Sequence, residues 1–272
     1  MNISCMYIFM SSPTKREKAI AISWILHAMK EVFGIEKIRK DIIKTFYHAV
    51  KNPKYIRTFD AFQQYEKKPY TDKKNEIIDY CTSILGLSHY VVFTASNIQQ
   101  NADDNETHYQ TFLVDNRAKT LYVINPSRDL KTENGYGIYE PEVAEKVLRP
   151  FFEAHGYKVQ YIDLTHPAQV ITDDVFCQTW SLYILLEILK HGVHVVDIPK
   201  TQKGKYELLL GFYKTCLSEV PSVAKELQHE YAAAIKENKT MIEEESGMDI
   251  KNIKSIDVVD VVMNMTAKDM KA

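Results

Sequence analysis

Two spacings of apolar residues divide the chain into helical and extended segments. Apolar residues at intervals of three and four predict helices over residues 14–34, 35–50, 73–86, 140–156, 204–220 and 222–239. Runs rich in β-branched and aromatic residues predict strands over residues 89–96, 108–115, 120–125 and 157–164. Helices followed by strands and then by further helices indicate an α+β fold.

One segment, FCQTWSLYILLEIL over residues 176–189, is apolar around almost its whole circumference, which predicts a buried helix. Thr172, Asp173 and Asp174 precede it and are good N-cap residues, so we expect the helix to begin near Asp174. Cys177 then falls in the first turn. Unpaired N–H groups and the positive end of the helix dipole favour a thiolate there, and the thiolate is the nucleophilic form.

The composition excludes several classes of protein. The chain has 272 residues, 45% of them hydrophobic and 26% charged, which indicates one globular domain. A net charge of −2 gives no basic field, so no nucleic-acid partner is expected. Cysteines at positions 5, 81, 177 and 216 lack paired spacing, which predicts no disulfide framework, no metal site and a reducing, intracellular compartment. The N-terminus is a poor signal peptide and no apolar run spans a bilayer, so no membrane partner is expected.

Changes of character along the chain predict three parts. Residues 1–72 are expected to form a helical N-terminal extension that ends in a polar, Lys-rich stretch. Residues 73–221 hold the strands and the buried helix and are expected to form the core. Residues 222–272 combine a charged helix, an acidic stretch and a weakly apolar segment, which indicates a helical or flexible tail.

A nucleophilic cysteine needs a base and a group that orients the base, and strand spacing suggests a pair. His108 opens a predicted strand beside a polar connection. If residues 116–119 form the hairpin loop, with Asp115 opposite Thr120, His108 and Asn125 become diagonal neighbours on one face of the sheet. A shift of one residue in the loop would separate them.

Other polar residues offer alternatives. Asp115 is not expected to orient His108, because it points to the other face and lies about 23 Å along the strand. His89 also opens a strand, and His166 lies in a loop before the buried helix, so both are alternative bases. Asp173 and Asp174 could face the cysteine, but capping is the role that we favour for them.

The segments HYQTFLVDNRAKTLYVIN and CQTWSLYIL resemble the motifs of clan CE cysteine peptidases. This family includes SUMO-specific peptidases, adenovirus proteinase and the African swine fever virus polyprotein protease. The resemblance covers about residues 89–195, and Asn125 follows His108 by 17 residues, as the acid of SUMO peptidases does. It implies a papain-like fold, with a mixed β-sheet packed against the catalytic helix.

The resemblance also implies roles for the site residues. Cys177 would be the nucleophile, His108 the base and Asn125 the orienting group, where SUMO peptidases have Asp. Gln169, eight residues before the cysteine, would bind the oxyanion together with the Cys177 N–H, and Gln178 is the alternative donor. Tyr109 stands where the family usually has Trp, and Gln178 stands where it usually has Gly.

By this resemblance the protein is a thiol protease that cleaves peptide or isopeptide bonds after small, Gly-rich residues and uses no cofactor. Its partner would be a protein substrate, either a viral precursor cleaved during virion maturation or a ubiquitin-like conjugate. The expected location is the cytoplasm, or the host cytoplasm or virion for a viral protein. The alternatives are an acyltransferase of the same clan, which usually has Glu as third member, and an inactive relative that only binds a ubiquitin-like protein.

Overall fold

A computed structural model describes residues 15–48, 56–63, 70–100, 105–127, 143–169, 176–246 and 250–271. Within these ranges, five strands form one mixed sheet in the order β1-β2-β3-β4-β5. The strands are β1 (Ile56–Gln63), β2 (Tyr90–Gln100), β3 (Asn105–Asp115), β4 (Thr120–Ile124) and β5 (Lys158–Tyr161). The two outer pairs, β1–β2 and β4–β5, are parallel, and the two central pairs are antiparallel.

Helices surround this sheet, and the described ones form three groups along the chain. Those before the central strands are α1 (Lys15–Val32), α2 (Glu36–His48) and α3 (Tyr70–Ile84). A π-helical segment (Val143–Leu148) continues into α4 (Arg149–Ala154) before β5. After β5 come α5 (Cys177–His191), α6 (Gln202–Glu219), α7 (Pro221–Glu237), α8 (Lys239–Ser246), α9 (Ile250–Lys254) and α10 (Val258–Asn264). None of the described helices has the length and apolar content needed to cross a bilayer.

The predicted α+β class is confirmed, with one correction to the elements. The polar stretch after α2 contains strand β1, which pairs in parallel with β2. A parallel partner lies far away in sequence, so no local hairpin signal marks such a strand. The weakly apolar C-terminal segment forms α10, whose Val258 and Val262 are fully buried.

The two faces of the sheet pack against different helices. Leu113 and Ile124 belong to the main core, which also contains the apolar residues of α1, α2, α5, α6 and α7. Phe112 and Val123 belong to a second core, with α3 and α4. Because successive residues of a strand point to opposite faces, this alternation assigns α5 to one face and α3 and α4 to the other.

The main core takes residues from all three predicted parts of the chain. Met29 of α1 and Val262 of α10 lie in the same cluster as Trp180 of α5. The N-terminal helices and the C-terminal segment are therefore integral to the packing around α5. As a functional division, the boundaries at residues 72 and 221 stay a prediction.

Trp180 is the largest side chain of α5, and it is fully buried in the main core. We expect Trp180→Ala to lower the free energy of unfolding by about 3–5 kcal/mol, because the lost apolar burial adds to the cost of a cavity. Chemical denaturation measures this change. His191→Ala, an exposed site on the same helix, should stay within about 0.5 kcal/mol of wild type. A Trp180→Ala loss below about 1 kcal/mol would contradict the packing of α5.

Candidate active site

The helix that carries the candidate nucleophile begins at Cys177 itself. Phe176 occupies the N-cap position with no side-chain hydrogen bond, and the first bond of the helix runs from Trp180 N to Phe176 O at 2.9 Å. The predicted start near Asp174 is therefore wrong by three residues. Asp173 and Asp174 lie outside the described residues, so their capping role stays a prediction. Cys177 is 4% exposed and forms no disulfide.

The residue after the candidate nucleophile packs against the turn between α1 and α2. A side chain added at Gly34 would collide with the carboxamide of Gln178. Gln178 is buried, and among the described residues its Oε1 has no hydrogen-bond partner. Because this side chain is engaged with the α1–α2 turn, Gln169 is the better candidate for the oxyanion donor.

The register of the β3–β4 hairpin is the predicted one. Asp115 lies opposite Thr120, and the ladder continues to Thr111 opposite Ile124. Extended by one residue, this register sets Gln110 opposite Asn125, as the sequence argument requires.

Asp115 has a structural role in the turn of this hairpin. Its Oδ1 accepts hydrogen bonds from the N–H groups of Arg117 and Ala118, each at 2.9 Å. These bonds hold the carboxylate at the hairpin end of the sheet. They agree with its exclusion as the orienting acid.

Asn125 follows β4 directly and is buried. Its Oδ1 accepts hydrogen bonds from Ser127 N at 3.1 Å and from Ser127 Oγ at 3.3 Å. The backbone N–H groups of Ala168 and Gln169 both donate to the carbonyl oxygen of Pro126 at 3.0 Å. The backbone of Gln169 is thereby bonded to the residue next to Asn125, and Gln169 is itself buried. Two of the predicted site residues are thus neighbours.

The backbone of His108 lies in β3, where its partner in β2 is Asn97. The side chain of His108 lies outside the described residues. Phe112 of the same strand packs in the second core, whereas α5 covers the opposite face of the sheet. For Cys177 to meet the Phe112 face of β3 at the level of residue 108, α5 must begin at the end of the sheet.

Contacts between helices give the position of α5 along the sheet. The start of α5 meets the start of α2 where Gln178 packs on Gly34. Twelve residues later in each helix, the Lys190 Nζ lies 5.1 Å from the centre of the Phe46 ring. Equal spacing in both helices shows that α2 and α5 run parallel and side by side.

Helix α2 is aligned in turn with β2. The rings of Tyr47 and Tyr90 are 6.3 Å apart between centroids. Arg39 Nη1 donates to Thr94 Oγ1 at 3.4 Å. The eight helical residues between Arg39 and Tyr47 span about 12 Å, and the four strand residues between Tyr90 and Thr94 span about 13 Å. The helix therefore runs antiparallel to β2.

This alignment gives the level at which α5 begins. Gly34 precedes Arg39 by five residues and lies in the turn just before α2, at most about 7.5 Å further along the helix direction. That length corresponds to about two strand residues beyond Thr94, close to Asn97. Because Asn97 is the partner of His108, the first turn of α5 is expected near the level of His108.

The two alternative bases lie in different places. His89 Nε2 is 3.3 Å from Asp115 Oδ1, at the hairpin end of the sheet. That end is about 17 Å from Asn125 along β4, so His89 is a poor partner for this site. His166 is half-buried, and it lies three residues before Gln169 in the segment that bonds to Pro126. It therefore stays an alternative base.

The other described cysteines are unsuited to nucleophilic chemistry. Burial raises the pKa of the Cys81 thiol to about 12. Burial also raises the pKa of Cys216, against a smaller opposite effect of Lys190. Both side chains are inaccessible and stay protonated near neutral pH. Cys5 lies outside the described residues.

In the part of the chain that the structure describes, one group of side chains has the spacing of metal ligands. Glu226, His229 and Glu230 lie on one face of α7, with His229 exposed and the two carboxylates half-buried. The group contains none of the predicted catalytic residues. It gives no reason to add a metal ion to the site.

Comparisons with known proteins give no family. A scan against protein-family models and a search of curated proteins find no match. Among solved structures, the fold is similar to the Legionella pneumophila effector protein RavZ, with a TM-score of 0.38 and 11% identity over 74% of this chain and 63% of that chain. RavZ in complex with human LC3B gives a TM-score of 0.38 and 13% identity over 73% and 58%. The chain thus spans about three fifths of these proteins, and at such scores the likeness identifies neither a family nor an activity.

Proposed function

We propose that the protein is a cysteine protease that cleaves peptide or isopeptide bonds after small, Gly-rich residues. Cys177 is the nucleophile, His108 the general base and acid, and Asn125 the group that orients the imidazole. The register of the β3–β4 hairpin supports this proposal, because its continuation beyond the Thr111–Ile124 pair would set Asn125 diagonally across from His108. The bond from Gln169 N to Pro126 O supports a role for Gln169 beside them.

The reaction divides into two acyl transfers. Cys177 Sγ gives its proton to His108 and attacks the scissile carbonyl, which forms a tetrahedral oxyanion. The carbon–nitrogen bond then breaks, and the imidazolium returns the proton to the leaving amine. Water, activated by the same imidazole, hydrolyses the thioester and restores the thiol. The side-chain oxygen of Asn125 accepts the second N–H of the imidazole in place of the bond from the Ser127 hydroxyl, as in other Cys–His–Asn sites.

Gln169 donates to the oxyanion in this scheme, together with the N–H of Cys177. We expect Gln169→Ala to lower kcat by about 10²-fold with little change in KM, because the donor acts on charge that develops in the transition state. Gln169→Glu, which keeps the shape and removes the donor, should lose at least as much. Gln160→Ala, at an exposed position on β5, is the control. Steady-state kinetics would contradict the role if kcat of both Gln169 variants stayed within about threefold of wild type.

The substrate class follows from the resemblance to clan CE peptidases, and two uses fit it: removal of a ubiquitin-like modifier and cleavage of viral precursors in the cytoplasm or virion. The test is a panel of fluorogenic substrates. One set carries ubiquitin, SUMO or LC3B with a leaving group at the C-terminal glycine, and another carries internally quenched Gly-x-x peptides. Turnover of the first set supports deconjugation, and turnover of the peptides alone supports precursor cleavage.

The same assay separates the alternatives. An acyltransferase would form an acetyl-enzyme at Cys177 when incubated with acetyl-CoA and would not hydrolyse the panel. A protein that only binds a ubiquitin-like partner would turn over neither substrate set. Either result, obtained with folded protein, would contradict the proposed protease activity.

A further inference from the structure

We infer that Gly34 and Tyr213 are positioning residues that hold the first turn of α5 and thereby aim the Cys177 thiol. The inference rests on the proposed function, since it assigns these residues to the nucleophile of that site. Gly34 belongs to the α1–α2 turn and Tyr213 to α6. Neither lies in the segments that resemble cysteine peptidases.

The start of α5 is held by contacts from outside the helix. Its N-cap residue, Phe176, supplies no side-chain hydrogen bond of the kind that favoured N-cap residues make. The two residues after Cys177 are instead held by other elements. Gln178 is held by Gly34, and Thr179 by Tyr213. Cys177 therefore lies in a turn whose position depends on tertiary contacts.

Position 34 favours glycine because a larger side chain has no room there, and not because the backbone needs a positive φ. The described glycines with positive φ are Gly86, Gly156 and Gly192, so Gly34 adopts a conformation open to other residues. A Cβ at Gly34 would fall on the carboxamide of Gln178. Within the described part of the chain the buried Gln178 Oε1 makes no hydrogen bond, so its contact with Gly34 is one of close packing.

Tyr213 holds the same turn from a second side. Its hydroxyl shares a hydrogen bond of 2.5 Å with Thr179 Oγ1 and donates to the carbonyl oxygen of Met29 at 3.2 Å. Its ring packs edge-on against Phe33, with centroids 4.3 Å apart, and against Phe176 at 6.2 Å. Tyr213 thus ties the start of α5 to the end of α1.

These contacts matter for chemistry because nucleophilic attack is sensitive to small displacements. A shift of about 1 Å in a reacting group can cost about 10²-fold in rate. A Cβ at Gly34 would meet the end of the Gln178 side chain, which is buried and must move within the packed core. Gln178 is covalently joined to Cys177, so this movement bears on the thiol. The expected result is a displaced thiol in a protein that is still folded.

The test is the rate of Cys177 alkylation by iodoacetamide, followed peptide by peptide over a range of pH. We expect Gly34→Ala to slow alkylation of Cys177 at pH 7 by about 10-fold and to move the midpoint of its pH profile upward. Gly34→Ala combined with Gln178→Ala should return to the rate of Gln178→Ala alone, since the clash is then gone. Gly211→Ala is the matched control, because a Cβ at Gly211 meets no atom within 4 Å.

A second pair of variants tests the hydroxyl of Tyr213. Tyr213→Phe should slow alkylation of Cys177 several-fold. Tyr231→Phe removes another buried hydroxyl, which donates to Ile253 O, and should leave the rate unchanged. Thermal melting measures the stability of every variant. If Tm falls equally in both Tyr variants, lower stability does not explain a slower rate in Tyr213→Phe alone.

The outcomes separate the inference from the proposed function. If Cys177 of the wild-type protein reacts no faster than Cys81 and Cys216, the result contradicts both the proposed function and the inference. A reactive Cys177 whose rate is indifferent to Gly34→Ala and Tyr213→Phe would overturn the inference alone. Slow alkylation in Gly34→Ala that Gln178→Ala does not restore would also overturn it, because the contact would then not be the cause.

Discussion

Replacing Cys177 with alanine is expected to reduce kcat/KM by about 10⁴-fold or more, to the background rate of the assay. The thiol forms the covalent intermediate, and removing the nucleophile of such a site abolishes the chemical step while substrate binding is retained. The side chain is small and buried, so Cys177→Ala should remain folded. The measurement is hydrolysis of whichever Gly-ending substrate of the panel the wild-type protein turns over.

The matched controls are the other buried cysteines, Cys81→Ala and Cys216→Ala. Both thiols are inaccessible and have raised pKa values, so both variants should retain the activity of the folded fraction. Cys177→Ala with activity within tenfold of wild type would contradict the assignment. So would an equal loss in either control variant at equal stability.

The second large effect is expected for His108→Ala, which should lower kcat/KM by about 10³-fold or more. Without the base, Cys177 must lose its proton unaided and the leaving amine must depart unprotonated. Alkylation of Cys177 should also slow at neutral pH, and its pH profile should move upward, because a neighbouring imidazolium stabilises the thiolate.

Two other histidines are the controls for His108. His89→Ala should remain active, because His89 pairs with Asp115 at the hairpin end of the sheet. His166→Ala should also remain active if His108 is the base. Loss of activity in His166→Ala together with an active His108→Ala would transfer the role to His166, whose segment bonds to Pro126.

The hairpin of the candidate site could be predicted because its determinants are local. Alternation of apolar residues predicted both strands, and the loop taken over residues 116–119, with Asp115 opposite Thr120, is the one observed. The start of α5 could not be predicted in the same way. Asp174 is a better N-cap residue than Phe176, yet the helix begins after Phe176, which is buried, and its first turn contacts Tyr213 through Thr179.

The features that sequence reasoning missed all join distant parts of the chain. Strand β1 forms through parallel pairing with β2, across the whole of α3. Gly34 and Gln178 are 144 residues apart, and neither residue type signals the contact. The apolar residues of α10 look weak in isolation, yet Val262 is fully buried against the helices of the main core. A glycine between two helices with no need for positive φ is the one local hint that a close contact exists.

The most direct test of the account is the site of adduct formation with thiol-reactive ubiquitin, SUMO and LC3B C-terminal electrophiles, identified by mass spectrometry. The account predicts one adduct, on Cys177, formed by the wild-type protein and lost in His108→Ala. Iodoacetamide on the same samples reports whether Cys177 is activated when none of the three probes fits the site. The opposite result is a folded protein in which every reagent labels Cys177 no faster than Cys81 and Cys216. That result would contradict the Cys–His site and the protease activity that depends on it.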